Sequence, residues 1–371
     1  MKTVRLLLII IKKYVITIPI TIIAVLTAYI GIVTFTDIPH VSPVWVWSVG
    51  NSQNPIYSSG LWSFAASSDG KRIVALRAAL GLSEASIISH SIDGGETWVP
   101  LESAGEGQWG YITSSDDGMK LAVTTSPYLS GYIYTSSDGG GNWNKQVGAG
   151  DKVWSAITSS GDGMMLAAAG SDVTGEHIVT SVDGGATWVK RTVEDSHNVV
   201  QITSSTDGMR IAIACQGGYM YTSVDGGVTW VKRTGAGRGD WGGLTSSSDG
   251  MRLAAADQGG YLYTSIDGGA NWIKRTSLGM APWTGITSSA NGMMLAIVDG
   301  DDGGYIYTSI DGGEVWVRQL NARTGPWGGI TSSSDGTKLI AGNNYYGHIY
   351  MGELRNLPMY SRSQPRHKEE E

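Results

Sequence analysis

From residue 44 to about 355 the chain is composed of short strings with strand character. Runs such as Tyr261 to Ser265 and Trp272 to Thr276 are rich in aromatic and β-branched residues and alternate in character, as a half-buried strand does. Between these two runs stands Asp-Gly-Gly, whose glycines supply positive φ, so the pair predicts a hairpin. The longer unit reads clearly from Trp241 to Arg275. It comprises Trp-Gly-Gly-Leu-Thr-Ser-Ser, an Asp-Gly turn, Leu-Ala-Ala-Ala, Tyr-Leu-Tyr-Thr-Ser, the Asp-Gly-Gly turn and Trp-Ile-Lys-Arg. Four short strands per unit is the natural parse.

The unit repeats. Ser-x-Asp-x-Gly-x-x-Trp occurs with aspartates Asp93, Asp138, Asp183, Asp225, Asp267 and Asp311, spaced 45, 45, 42, 42 and 44 residues apart. A period of this length belongs to propellers and solenoids. The other turn, Asp-Gly or Asn-Gly, starts at Asp69, Asp117, Asp162, Asp207, Asp249, Asn291 and Asp335, which makes seven units. The last unit has no aspartate motif and no fourth strand of its own. Val44 to Trp47, which match the Trp-Val-Lys-Arg strand in character, are expected to complete it and close the ring without free edges. The expected fold is therefore all-β, a seven-bladed propeller of four-stranded blades closed by an N-terminal strand.

Small residues in Trp-Gly-Gly-Ile-Thr-Ser-Ser suit an innermost strand, where seven strands converge. Cations such as Lys232, Arg233, Lys274 and Arg275 follow the fourth-strand tryptophans, where they guard an exposed edge against pairing. With a net charge of -7 they do not form a nucleic-acid surface. That acidity is largely turn chemistry, since twelve aspartates lie in the two repeated turns.

Ahead of the repeats, Tyr14 to Phe35 are 22 uncharged, mostly apolar positions, which as a helix would span ~33 Å and cross a bilayer. Lys2, Arg5, Lys12 and Lys13 precede the stretch and no Lys or Arg follows until Lys71, so the N-terminus is expected in the cytosol and the propeller on the extracytoplasmic or lumenal side. A cleaved signal peptide is the rival reading. The organisation expected is a basic segment 1–13, a single-pass anchor 14–35, a linker 36–43, a propeller 44–355 and a polar disordered tail 356–371. Cys215 is the sole cysteine, so stability rests on packing and ring closure without any internal disulfide.

Ser-x-Asp-x-Gly-x-x-Trp at a strand-turn-strand position resembles the Asp-box, or BNR repeat, of the sialidase-like superfamily. Sialidases, sortilin-type receptors, some glycoside hydrolases and the photosystem II assembly factors carry it. The resemblance covers about residues 44 to 352 and implies that Asp93, Asp138, Asp183, Asp225, Asp267 and Asp311 are structural and lie away from the ligand-binding face. In blade number, single-domain build and position across a membrane the chain is most similar to the photosystem II assembly factors. A sialidase-type glycoside hydrolase is the alternative. It would need a Phe/Tyr-Arg-Ile-Pro segment, which does not occur, and an arginine triad for which only Arg77, Arg238 and Arg323 could be put forward, with no motif around them.

Because strands alternate direction, the two repeated turns share one face and the variable connections share the other. Function is expected on the variable face. There Arg77, Thr125, Gly170, Cys215, Asp257, Asp299 and Asn343 align in one column, a candidate ligand-reading ring if they are not simply turn starters. Trp62, Trp109, Trp154, Trp241, Trp283 and Trp327 form a second column, with Val199 in the remaining blade. They are expected to pack between blades, or, if exposed, to make a sugar or peptide platform. The carboxylates of Asp299, Asp301 and Asp302 are a candidate calcium site; no other cofactor is implied. The expected function is that of a membrane-anchored, non-catalytic module binding a protein or glycan, of assembly or adhesion type.

Overall fold

In a computed structural model the described residues are 41–50, 60–79, 86–105, 107–125, 128–344 and 347–358. The apolar stretch 14–35, its basic flank, most of the linker and most of the tail lie outside them. Among the described residues no helix is long and apolar enough to cross a membrane. Residues Val44–Arg355 make one compact unit.

That unit is a propeller of seven antiparallel, four-stranded sheets. From inside outward, blade 1 is Gly60–Ala66, Ile73–Ala79, Ile87–Ser91 and Val99–Pro100, and blade 2 is Trp109–Ser114, Leu121–Thr125, Ile133–Ser136 and Asn144–Gln146. Blade 3 is Val153–Ser159, Leu166–Asp172, Gly175–Ser181 and Val189–Arg191, and blade 4 is Val199–Ser204, Ile211–Cys215, Met220–Ser223 and Val231–Arg233. Blade 5 is Trp241–Ser246, Leu253–Asp257, Leu262–Ser265 and Ile273–Arg275, and blade 6 is Trp283–Ser288, Leu295–Asp299, Ile306–Ser309 and Val317–Arg318. Blade 7 takes Trp327–Ser332, Lys338–Asn343 and Ile349–Pro358 from the end of the repeats and its outermost strand, Val41–Val49, from their beginning. The expected closure is therefore present. Gly50 N–H donates to the Ile349 carbonyl at 2.9 Å, and Trp45 is buried against Ala296 and Leu339.

Each aspartate motif is one hydrogen-bonded knot. In blade 4, Ser223 Oγ donates to Asp225 Oδ1 at 2.8 Å and accepts from Gly227 N–H at 2.9 Å. Asp225 Oδ1 also accepts from Thr229 N–H at 2.8 Å, while Trp230 Nε1–H donates to the Gly227 carbonyl at 2.9 Å. Gly227 holds φ 84°, which a side chain would strain. These bonds favour the ionised carboxylate, and the pKa of Asp225 falls to about 2, mainly through the Thr229 hydroxyl and amide. A second knot recurs in the inner turn, where Ser247 Oγ accepts from Arg252 N–H at 2.9 Å and Asp249 Oδ1 accepts from Met251 N–H at 3.0 Å. The two turns of a blade bond to each other, as in Gly268 N–H to the Met251 carbonyl at 2.8 Å, so they occupy one face.

Tight convergence at the axis explains the small residues of the inner strands. A Cβ on Gly242 would stand 2.2 Å from the backbone oxygen of Trp283 in the next blade. At the outer edge the cations have specific seats: Lys274 Nζ lies 3.8 Å from the centroid of Tyr261, and Arg275 Nε donates to Thr264 Oγ1 at 2.8 Å.

Candidate functional site

The loop face is formed by the connections from second to third strand and those from one blade to the next. Both lie together, since the first connection of blade 4 bridges to the next inter-blade loop at Gly218 and Gly239, and that of blade 2 at Gly131 and Lys152. This face carries the sequence variation.

The two columns predicted there are cross-strand partners. Trp62 pairs with Arg77, Trp109 with Thr125, Trp154 with Gly170, Val199 with Cys215, Trp241 with Asp257, Trp283 with Asp299 and Trp327 with Asn343. In blades 2 to 7 a register shift of the β-bulge kind follows the tryptophan or valine.

The tryptophans are core. Trp109, Trp154, Trp241, Trp283 and Trp327 are 0–3% exposed, which rules out a stacking platform; the Trp62 side chain lies outside the described residues. Each buries ~150–250 Å² of ring, worth about 4–6 kcal/mol as an upper bound. Their N–H groups add a bond across the blade boundary: Trp154 to the Gly131 carbonyl at 3.0 Å, Trp241 to Gly218 at 3.1 Å, Trp283 to Gly260 and Trp327 to Gly304, both at 3.2 Å. Such a bond is worth about 1 kcal/mol, so packing dominates and the bond sets orientation.

In the partner column Arg77, Cys215 and Asn343 are buried, at 4%, 1% and 0% exposure. Cys215 packs against Ala169 and Ile178 of blade 3, and at this burial all three present little to a ligand. Burial raises the Cys215 thiol to about 11, so it is a protonated, inert group at neutral pH. Thr125, Asp257 and Asp299 are half-buried. Asp257 Oδ1 accepts from Asp240 N–H at 2.9 Å and Asp299 Oδ1 from Asp301 N–H at 3.0 Å, so both hold loops in shape. Burial raises the pKa of each, with the neighbouring carboxylates Asp240 and Asp301 adding to it.

Asp299, Asp301 and Asp302, the candidate calcium ligands, do not gather into one cluster. Asp299 turns inward onto an amide while Asp301 and Asp302 are exposed, and no metal-holding cluster exists among the described residues. Nor does an arginine triad form: Arg77 is buried in blade 1, Arg238 binds the Gly217 carbonyl at 2.8 Å between blades 4 and 5, and Arg323 is exposed between blades 6 and 7.

One junction on this face departs from the repeat, and it went unnoticed in the sequence. Where blades 2, 4, 5 and 6 place Gly131, Gly218, Gly260 and Gly304 to receive the next blade's indole, blade 3 has Glu176. Blade 4 correspondingly has Val199 in place of tryptophan. Glu176 Oε1 accepts from Val199 N–H at 2.8 Å, so a carboxylate replaces the backbone bridge. Its other oxygen, Oε2, is buried and makes no hydrogen bond of its own, and burial raises the pKa of the group against the pull of the Val199 and Asn198 amides. The adjoining loop carries Asp195 (φ 58°) and Asn198 (φ 56°), the only non-glycine residues with positive φ among those described. Asn198 Nδ2 donates to Gln216 Oε1 at 2.8 Å and Tyr221 OH to the Asp195 carbonyl at 2.9 Å, which pin that turn over Glu176. The paired departure, Glu for Gly and Val for Trp one blade later, is the signal that would have found it.

No family model matches the chain, and no curated protein matches it in sequence. Among solved structures it is similar to YCF48 from Cyanidioschyzon merolae, with a TM-score of 0.60 at 17% identity over 83% of this chain and 98% of that one. It is similar also to YCF48 bound to D1 peptide, with a TM-score of 0.60 at 15% identity over 85% and 99% of the two chains. A third is the Cps50 (Swd1) β-propeller domain of Myceliophteria thermophila, with a TM-score of 0.59 at 13% identity over 84% and 100%. At these identities the shared property is the seven-bladed fold.

Proposed function

We propose that this chain is a membrane-tethered, non-catalytic propeller of the Asp-box kind that holds a protein segment on its loop face. The observation that carries the reading is the junction of blades 3 and 4. A buried carboxylate oxygen without a partner costs about 1–3 kcal/mol, and here it lies beneath a turn with two left-handed residues. A segment that displaces that turn and brings an amide or a cation to Glu176 Oε2 would recover the cost. Half-buried Asp257 and Asp299, with exposed Asp301 and Asp302, add negative potential to the same face, so the segment expected is basic. That a propeller of this fold has been solved with a D1 peptide supports peptide capture as a use of the architecture.

The test is selection of random peptides on the full-length chain in detergent. Peptides rich in Lys or Arg should be enriched, and the double substitution Glu176→Gly with Val199→Trp, which restores the repeat, should abolish the enrichment. Equal enrichment on both proteins, or none on either, would overturn the assignment. The tether is tested separately: alkaline carbonate should leave the full chain in the membrane pellet if residues 14–35 span the bilayer.

A further inference from the structure

The six aspartate-motif blades act as internal controls for one another; blade 2 breaks their rule at two places and departs from blades 3 to 5 at a third. The residue after the motif serine is Ser137, where every other copy has isoleucine or valine, such as Ile266. The residue after the motif tryptophan is Asn144, where every other copy again has valine or isoleucine. Two positions on stands Gln146, where blades 3, 4 and 5 have arginine.

All three altered residues line one cleft, between blades 2 and 3 on the turn face, with a volume of about 440 Å³. The corresponding clefts between blades 4 and 5, 5 and 6, and 6 and 7 measure only about 10 Å³ each. The fourth strands beside these clefts also differ. In blades 4 and 5 the long arginine side chain reaches back to a third-strand threonine, as Arg233 does to Thr222 Oγ1 at 2.7 Å. Gln146 makes the same contact, Nε2–H to Thr135 Oγ1 at 2.6 Å, with a shorter side chain. Blade 6 also carries glutamine, Gln319, but there Trp45 of the closing strand lines the gap. Between blades 2 and 3 nothing comparable fills it.

We propose that this cleft binds a neutral saccharide of one or two rings. Its volume lies within the ~300–1,000 Å³ common for small-molecule sites. The two charges in its wall are already engaged: Lys120 Nζ donates to the Asp162 carbonyl at 2.7 Å, and Asp183 Oδ1 accepts from Ser181 Oγ and Thr187 N–H, both at 2.8 Å. What remains is hydroxyl and amide chemistry beside the partly exposed Met164 and the exposed Ala186. The Asn144 side-chain amide offers a donor and an acceptor in one plane, which pairs with adjacent sugar hydroxyls, and Gln146, whose Nε2 already donates to Thr135 Oγ1 and the Asn144 carbonyl, adds its Oε1 as an acceptor, while the C–H face of a ring packs on Met164 and Ala186. A peptide is less well served, because the wall turns bond each other, Gly184 N–H to the Met164 carbonyl at 2.8 Å, and the edge strand Asn144–Gln146 is only three residues long.

The experiment is an array of neutral gluco-, galacto- and manno-configured mono- and disaccharides, with sialylated and sulfated glycans and basic peptides on the same slide, probed with the full-length chain in detergent. At least one neutral saccharide should be retained. Asn144→Val with Gln146→Arg restores the repeat and should weaken that retention by about tenfold or more without lowering the melting temperature; Ser137→Ile, at an exposed position, is the second variant and should weaken it too. Glu176→Gln, on the opposite face, should leave it unchanged. Failure to retain any neutral saccharide, equal retention by both cleft variants, or loss of saccharide confined to Glu176→Gln would overturn the proposal, as would a cleft-dependent signal from charged glycans or peptides alone.

Discussion

Ser334 donates its amide hydrogen to the carbonyl of Ser68 at 2.9 Å, joining blade 7 to blade 1. The same bond runs from Ser68 to Asp116, Asp116 to Gly161, Gly161 to Thr206, Thr206 to Ser248, Ser248 to Ala290 and Ala290 to Ser334, each at 2.7–2.8 Å. The turn residue just before each Asp-Gly or Asn-Gly thus belongs to a continuous backbone ring around the axis. Every member both donates and accepts, so the backbone of these seven turns is satisfied within the ring. The ring makes the turn face the rigid one and leaves the loop face free to vary.

Closure of that ring depends on the strand Val41–Val49 staying in blade 7. Trp45 is the buried anchor of that strand, and Trp45→Ala should cost about 3–5 kcal/mol. Val44→Ala, at an exposed neighbouring site, should stay within about 0.5 kcal/mol. Urea melts of the full-length variants measure both; similar midpoints would mean that the N-terminal strand does not hold the propeller shut.

An aspartate-motif change should act on stability alone. Asp225→Ala removes the acceptor for Ser223 Oγ and Thr229 N–H, and because the site is exposed to water the loss should be about 1 kcal/mol. The melting temperature should fall while peptide enrichment and saccharide retention stay at wild-type levels. A loss of binding at full stability would give the motif a direct role in recognition.

Much of this was legible in the sequence because a repeat supplies its own control. Blade number, the closing strand and the burial of Trp109 to Trp327 follow from a pattern written several times over. Burial of Arg77, Cys215 and Asn343 did not follow, because chain position places a residue at a strand end without saying whether its side chain turns inward. Glu176 escaped notice for a related reason. Its meaning lies in a pair of exchanges one blade apart, with Val199, and only the indole-to-carbonyl bonds of the other junctions show that these positions meet.

Acid should unfold the protein in two opposing steps. The motif and turn aspartates have lowered pKa values, Asp138 and Asp225 to about 2, mainly through hydrogen bonds from Asn142 and Thr229. Their stabilisation is fully present above the unfolded value of ~3.9 and is lost as pH falls through the folded values. Glu176, Asp257 and Asp299 have raised values because they are buried, so each favours the folded state more as it becomes protonated. Melting temperature should therefore rise slightly as pH falls through the raised values of these buried carboxylates and fall steeply from about pH 4 downward. Asp225→Asn should blunt the fall, and Glu176→Gln should raise the melting temperature at pH 7 and remove part of the initial rise. A profile flat down to pH 2 would contradict the carboxylate knots.

The exchange between blades 3 and 4 can be tested as a thermodynamic cycle. Val199→Trp alone drives an indole against the Glu176 carboxylate, which is bonded to the backbone of residue 199, and should destabilise. Glu176→Gly alone strips the Val199 amide of its acceptor and leaves a void, and should destabilise as well. Together they recreate the pair seen at Gly218 and Trp241, where the indole N–H meets the glycine carbonyl at 3.1 Å. The double variant should therefore be more stable than the sum of the singles by about 0.5–3 kcal/mol, the range for residues in direct contact. Simple additivity in urea melts would show that Glu176 and Val199 vary independently, and the junction would then lose its claim as the place where packing was exchanged for recognition.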